Sequence, residues 1–235
     1  RLTGRAGGVD DQRRIIRRGF HGPVIVAGAL RLLPQGKRAG PGAIRTVADG
    51  SPNYRDGVFH NLEPASALKL DAEENRLILF DMISSRSASR PGGAVPLAAP
   101  PVDARPEPLA VNWLGHSTTL LEIDGYRVLT DPVWSNRCSP SRTVGPQRLH
   151  PVPLPLETLP ELDAVVISHD HYDHLDMDTV LDLVRTQRAP FVVPLGVGAH
   201  LRQWNVPTER IVELDWNADA RIGELRLVCS PARHF

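Results

Sequence analysis

The chain has 235 residues with 41% hydrophobic and 23% charged content, the balance of a soluble globular protein with room for one large domain plus an arm. Two cysteines are too few for a disulfide framework, and no apolar run reaches the roughly 18 residues that a membrane-spanning helix needs. The formal net charge of +0 conceals a split: residues 1–60 carry 11 Lys+Arg against 4 Asp+Glu, and residues 61–235 carry 16 against 23.

In chain order, residues 1–53 read as a basic arm, rich in Gly and Arg and weakly periodic. Basic flanks around a short apolar stretch at 23–33 suit contact with an anionic membrane interface, and the stretch is too short to cross one. The plain alternative is a solvated arm. Aromatic and basic residues do not interleave as a nucleic-acid platform requires, so no nucleic-acid partner is expected. Residues 54–108 read as an N-terminal extension with apolar residues Leu68, Leu70 and Leu77, followed by a Pro/Gly-rich linker.

From Leu109 the texture changes, and residues 109–235 read as the folded domain. "LAVNWLG" and "STTLLEI" predict strands, and Asp124-Gly125 predicts a hairpin into "YRVLTD". Residues 132–160 are Pro-rich and lack either period, which predicts a long functional loop. "LDAVVIS" predicts a buried strand and "LDMDTVLDLVRTQ" a helix with Met177, Val180, Leu181 and Val184 on one face. "PFVVP", "RIVEL" and "LRLVCS" predict further strands, with a short helix at "GVGAHLRQWNV". Cys229, in the last of these runs, reads as a core thiol. Alternating strands and helices make an α/β layered domain with a mixed sheet.

Between the strand ending at Ser168 and the helix beginning near Leu175 stands His169-x-His171-x-Asp173-His174. The carboxyl ends of strands in open α/β sheets are where ligands bind. Neutral imidazoles and a carboxylate suit Zn2+, Fe2+ or Mn2+. His169 and His171, two apart in an extended turn, can face one side, while Asp173 and His174 face another point, so one turn can serve two metals. Paired metals can hold a bridging hydroxide and clamp a phosphoester. His234, just past an apolar strand, is the best further ligand. His116 follows a strand and reads either as a donor behind the ligands or as an orienting core histidine. Asp131 reads as a turn cap or as a hydrogen-bonding anchor for the metal loop. Tyr172 either lines a substrate mouth or packs. The loop residues Trp134, Arg137, Arg142 and Arg148 read as a wall toward an anionic headgroup or as solvated side chains. His21, His60, His150 and His200 have no company and default to the surface.

"SHDHYDHLD" resembles the signature of the metallo-β-lactamase superfamily. "VNWLGHSTTLLEIDGYRVLTDPVWSNRCSP", "VGPQRLHPVPLPLETLPELDAVVISHDHYDHLD", "VPLGVGAHLRQWNV", "ELDW" and "SPARHF" are similar, in order, to the N-acyl-phosphatidylethanolamine-hydrolysing phospholipase D family, and "YRDGVFHNLEP" is similar to its N-terminal segment. The resemblance implies an αββα sandwich, with its N-terminal half in this chain, and a dinuclear zinc site. It implies that His169, His171 and His234 bind the first zinc and that Asp173 and His174 bind the second, with Asp173 also orienting the nucleophile. The family's bridging aspartate and final histidine would lie after Phe235, so the chain reads as the N-terminal portion of something longer, with residues 109–235 incomplete at their C-terminus. The implied activity is hydrolysis of a phosphodiester, in a phospholipid, by a metal-bridging hydroxide. Rival readings are a lactonase, a cyclic-nucleotide phosphodiesterase, or a metal-binding fragment without catalysis. The implied partners are a phospholipid or other phosphodiester, a membrane surface met by the basic arm, and, as an option, a second copy of the chain. The implied location is cytoplasmic or at a membrane periphery.

Overall fold

A computed structural model of the chain describes residues 38–62, scattered positions between 71 and 80, and residues 90–101, 105–139, 141–143 and 145–232. The readings at Leu68, Leu70, His21, His234 and most of the basic arm lie outside the described residues.

The domain is organised by one six-stranded sheet. Strands β3 (Leu109–Gly115), β4 (Thr118–Ile123) and β5 (Tyr126–Thr130) form an antiparallel meander. Asp124 (φ 50°) and Gly125 (φ 86°) both take left-handed backbone in the β4–β5 turn, the conformation whose twist matches a two-residue hairpin. From β5 the sheet turns parallel through β6 (Ala164–Val166), β7 (Phe191–Pro194) and β8 (Ile211–Leu214). The crossovers carry helices α2 (Met177–Thr186) and α3 (Gly198–Gln203), which follow the helix α1 (Pro41–Ala48) near the start of the described chain. Parallel strands need such crossovers because a tight turn cannot reverse direction twice.

Register sorts the sheet into two faces. Leu120, Leu129, Val165, Phe191 and Val193 lie on one face, and α2, α3 and the 132–160 loop close over them through Leu154, Leu156, Val180, Leu183 and Leu201, all buried. The long loop is therefore part of the core wall: Trp134 Nε1 donates to the Leu154 carbonyl at 3.0 Å, and Val133 is buried. On the other face Leu109, Val111 and Trp113 stand 69%, 65% and 58% exposed, opposite Ile123, Leu121 and Thr119 on β4.

Two smaller antiparallel hairpins pair β1 (Tyr54–Arg55) with β2 (Val58–Phe59) and β9 (Asp219–Ile222) with β10 (Leu225–Val228). Strand β9 is hard to see in the sequence because "DARI" alternates exposed polar and half-buried residues with little apolar content. Cys229 is half-buried rather than a core thiol, because the β9–β10 ribbon joins no third strand among the described residues. Residues 38–53 contact the domain directly: the Ala39 amide donates to His200 Nδ1 at 3.0 Å and Asn53 Nδ2 donates to Asp215 at 3.2 Å. Among the described residues, no helix is long and apolar enough to cross a membrane.

Candidate metal centre

The site begins where β5 and β6 end side by side. Asp131, the residue after β5, is buried and has φ 41°, a left-handed conformation that Asp tolerates. Its amide donates to the Val166 carbonyl at 2.8 Å, and Thr118 Oγ1 donates to its carbonyl at 2.7 Å. The carboxylate is thus aimed across the strand ends. It accepts the Ser168 amide at 2.6 Å, the Ser168 hydroxyl at 2.7 Å and His174 Nδ1 at 2.9 Å. The anchoring reading of Asp131 describes these contacts better than a turn cap does.

After Ser168 the chain makes a tight turn, with the His174 and Leu175 amides both donating to the His171 carbonyl at 3.0 and 2.8 Å. Leu175, 1% exposed, plugs the end of this turn into the core just before α2. Asp176 ties the turn to the long loop by accepting the Ser135 amide, the Ser135 hydroxyl and the Thr179 hydroxyl at 3.0, 2.9 and 2.6 Å. A polar, ligand-rich turn is thereby held at both ends by apolar and charge-assisted contacts.

The imidazoles gather. Ring centroids lie 4.7 Å apart for His169 and His171, 4.0 Å for His169 and His174, and 5.3 Å for His174 and His116. His116, Asp173 and His174 each present a ligand-type atom, all within 4.8 Å of one another. His116 Nε2 lies 2.8 Å from Asp173 Oδ2, a hydrogen-bond distance. His174 Nε2 lies 3.7 Å from the same oxygen. Two ligands of one tetrahedral ion, each at about 2.0–2.1 Å, stand about 3.3 Å apart. The wider contact is therefore compatible with a shared ion, and the shorter one makes His116 a partner of Asp173.

The hydrogen bonds also choose tautomers. His174 Nδ1 faces the Asp131 carboxylate, which can only accept, so Nδ1 carries the proton and Nε2 presents a lone pair. The Ser168 hydroxyl has one hydrogen, and it goes to Asp131. At 2.9 Å from His169 Nδ1 that hydroxyl must then accept, which leaves His169 Nε2 as the basic nitrogen. The donor set fits a borderline divalent ion on chemistry as well: neutral imidazoles and a carboxylate at the open end of a sheet.

Electrostatics follow the contacts. The hydrogen bond from His116 holds the Asp173 carboxyl well below the usual carboxylate range, against the opposing effect of burial. The same bond raises His116. Asp170 is lowered to about 2, first by its hydrogen bond with His200 and then by Arg38. Burial pushes the Cys138 thiol up to about 11, so it is a poor thiolate ligand at neutral pH.

The structure therefore brings His169, His171, Asp173, His174, His116 and Asp131 together, and His234 lies outside the described residues. Tyr172 is 38% exposed, with the Arg38 guanidinium 4.0 Å from its ring centre. His200 is 3% exposed rather than on the surface, because its two ring nitrogens bridge the Ala39 amide and Asp170. His60 and His150 take local contacts, with the Arg55 and Pro151 carbonyls. Ser168, Arg38 and Ser117, whose hydroxyl lies 3.1 Å from His174 Nδ1, escaped the sequence reading. Ser168 sits beside the motif and could have been suspected; Arg38 reaches Asp170 from 132 positions away and carries no local signal.

Comparison with known proteins gives the chain's similarities. Residues 126–235 match the family model of the Beta-lactamase superfamily domain. A protein of Mycobacterium tuberculosis whose name gives no activity is 64% identical over 210 residues, 88% of this chain and 56% of that relative. The N-acyl-phosphatidylethanolamine-hydrolysing phospholipase D 1 of Caenorhabditis elegans is 37% identical over 134 residues, 54% of this chain and 38% of its own length. A metal-dependent hydrolase of Pyrobaculum aerophilum is 24% identical over 127 residues, 54% of this chain and 51% of its own length. Among solved structures, a diiron β-hydroxylase from Streptomyces venezuelae aligns with 54% of this chain and 24% of its own at TM-score 0.39 and 25% identity. The chain thus spans 56% of the mycobacterial relative and less of the nematode one. By the family-model match, residues 126–235, a little under half of the chain, are similar to the Beta-lactamase superfamily domain and carry its fold.

Proposed function

We propose that this chain forms the metal-holding half of a metal-dependent hydrolase that cleaves a phosphodiester, in the manner of a phospholipase D, in N-acyl-phosphatidylethanolamine-like phospholipids. The observation that carries the hydrolase reading is the convergence of His169, His171, His174 and Asp173, with the tautomers of His174 and His169 set by Asp131 and Ser168. The lipid rests on the names borne by the nematode relative and by a Saccharomyces cerevisiae relative 28% identical over 132 residues.

His169 and His171 would hold one ion, joined by His234, and Asp173 with His174 would hold a second. The chemistry that Zn2+, Fe2+ or Mn2+ supplies in such a site is Lewis-acid neutralisation of phosphoryl charge and activation of water. The chain's own residues do the positioning. Asp131 keeps His174 in the tautomer with Nε2 outward, and Ser168 does the same for His169. His116 keeps Asp173 ionised and oriented at 2.8 Å. Tyr172, half-exposed beside the cluster, lines the approach. The basic N-terminal arm would meet an anionic membrane, which fits a cytoplasmic or peripheral location, and a second copy of the chain is the protein partner allowed for.

Metal content of the chain is the first test. His169→Ala should lose bound metal, read by plasma emission after gel filtration, and unchanged metal content would refute the ligand assignment. The second test is hydrolysis by the protein extended to the length of its mycobacterial relative. N-acyl-phosphatidylethanolamine should be cleaved, and activity on a phosphate lactone or cAMP alone would overturn the lipid reading.

A further inference from the structure

Beside the histidine cluster lies a pocket of about 290 Å³ with a divided lining. Leu175, Met177 and Trp204 supply apolar surface, and Arg38, Arg137 and Arg142 supply three guanidinium groups, with Tyr172 between the pocket and the cluster. Asp176 and Asp178 line it too, but both are engaged. Asp176 accepts from Ser135 and Thr179, and Asp178 pairs with Arg142 at 2.9 Å.

The three arginines are not held alike. Arg137 Nη1 donates to the Gly145 carbonyl at 2.6 Å, which fixes its fork. Arg142 is largely exposed and held by its pair with Asp178. Arg38 is the unusual one. Its side chain is 19% exposed, it stacks on Tyr172, and its Nη1 is spent on Asp170. Its Nε and Nη2 are buried and have no acceptor among the described residues. Leaving a buried guanidinium N–H without an acceptor is costly, and native proteins rarely do so. These two atoms are closed off in this conformation, so an oxyanion would meet them once the Arg38 side chain shifts toward the pocket it lines, and arginine forks suit tetrahedral oxyanions.

We propose that this pocket is a phosphate-monoester site, distinct from the histidine cluster and joined to it by Tyr172. Arg38, Arg137 and Arg142 would bind the dianion, and the apolar surface would take the organic group it carries. A monoester suits three guanidinium groups better than a diester does, because it presents three terminal acceptor oxygens rather than two. The proposal deepens the hydrolase reading, since phosphodiester cleavage yields a phosphate monoester, but its binding test does not need metal or turnover.

The test is calorimetric titration of the chain in chelator with inorganic phosphate and with glycerol 3-phosphate, alongside flotation with vesicles of phosphatidic acid in phosphatidylcholine. Saturable binding is expected to weaken about tenfold or more in Arg38→Gln and also in Arg142→Gln, a surface change that leaves the fold intact. His171→Ala should bind as the wild type does. Binding of the soluble probes supports the site with a soluble ligand, and arginine-dependent flotation without it supports the site with a lipid headgroup. Loss in His171→Ala with none in the arginine variants would place phosphate on the histidine cluster and overturn the proposal while sparing the hydrolase reading. No saturable binding of any probe would also overturn it.

Discussion

At the scale of single residues, the site depends on who holds the ligands. Asp131 serves three donors at once and fixes His174 Nδ1. Carboxylates behind metal-binding histidines typically change metal affinity by about 10–100-fold when altered. Asp131→Asn should therefore weaken metal binding by about that factor, measured by competition with a chromophoric chelator. His116 and Asp173 make a second, pH-dependent pair. His116 is raised, so its contribution is complete below the unfolded histidine pKa and is lost as pH rises through the raised value. Asp173 is lowered, so its contribution is present above the unfolded carboxyl pKa and is lost as pH falls through the lowered value. In metal-free protein the pair is strongest between these limits, near about pH 5–6. His116→Gln should accordingly narrow the urea-midpoint gap to wild type as pH is raised from about 6 to about 9. An equal gap at both values would show that the pair carries no charge interaction. Both side chains are over a third exposed, so solvent screening keeps the effect modest.

Among the elements, the antiparallel meander is the scaffold that places Asp131, and its turn is its most sequence-specified part. Gly125 has φ 86° and open space where a Cβ would stand. Substitution therefore meets backbone strain and no clash. Gly125→Ala should cost about 1–2 kcal/mol, and Gly125→Asn markedly less, read from urea midpoints at constant m-value. The parallel half was legible for a different reason. Its strands are short apolar runs, and α2 buries Thr179, Val180 and Leu183 along one face. What escaped was β9, whose polar alternation imitates a loop, and the packing of the 132–160 loop, whose prolines hide any period while Leu154, Leu156 and Leu159 enter the core.

For the molecule as a whole, the two faces of the sheet are unlike. One is closed by helices and the long loop, and the other carries Leu109, Val111 and Trp113 in an exposed row on edge strand β3. An apolar row on an edge strand is a surface for association. The isolated chain should bind a hydrophobic dye and sediment with concentration-dependent mass, and Val111→Lys should reduce both without lowering the melting temperature. A monomer at every concentration would remove this expectation. The motif His169-x-His171-x-Asp173-His174, the order of strands and helices from β3 to β8 and the Asp124-Gly125 turn were determined by the sequence itself, because ligand spacing, hydrophobic period and left-handed turn residues are local properties. Only the tertiary structure decided that His116 pairs with Asp173 across 57 positions, that His200 is buried, and that Arg38 enters a pocket beside Tyr172. Each of those contacts joins segments that no local pattern relates, and they meet because the parallel crossovers bring distant strand ends to one edge of the sheet.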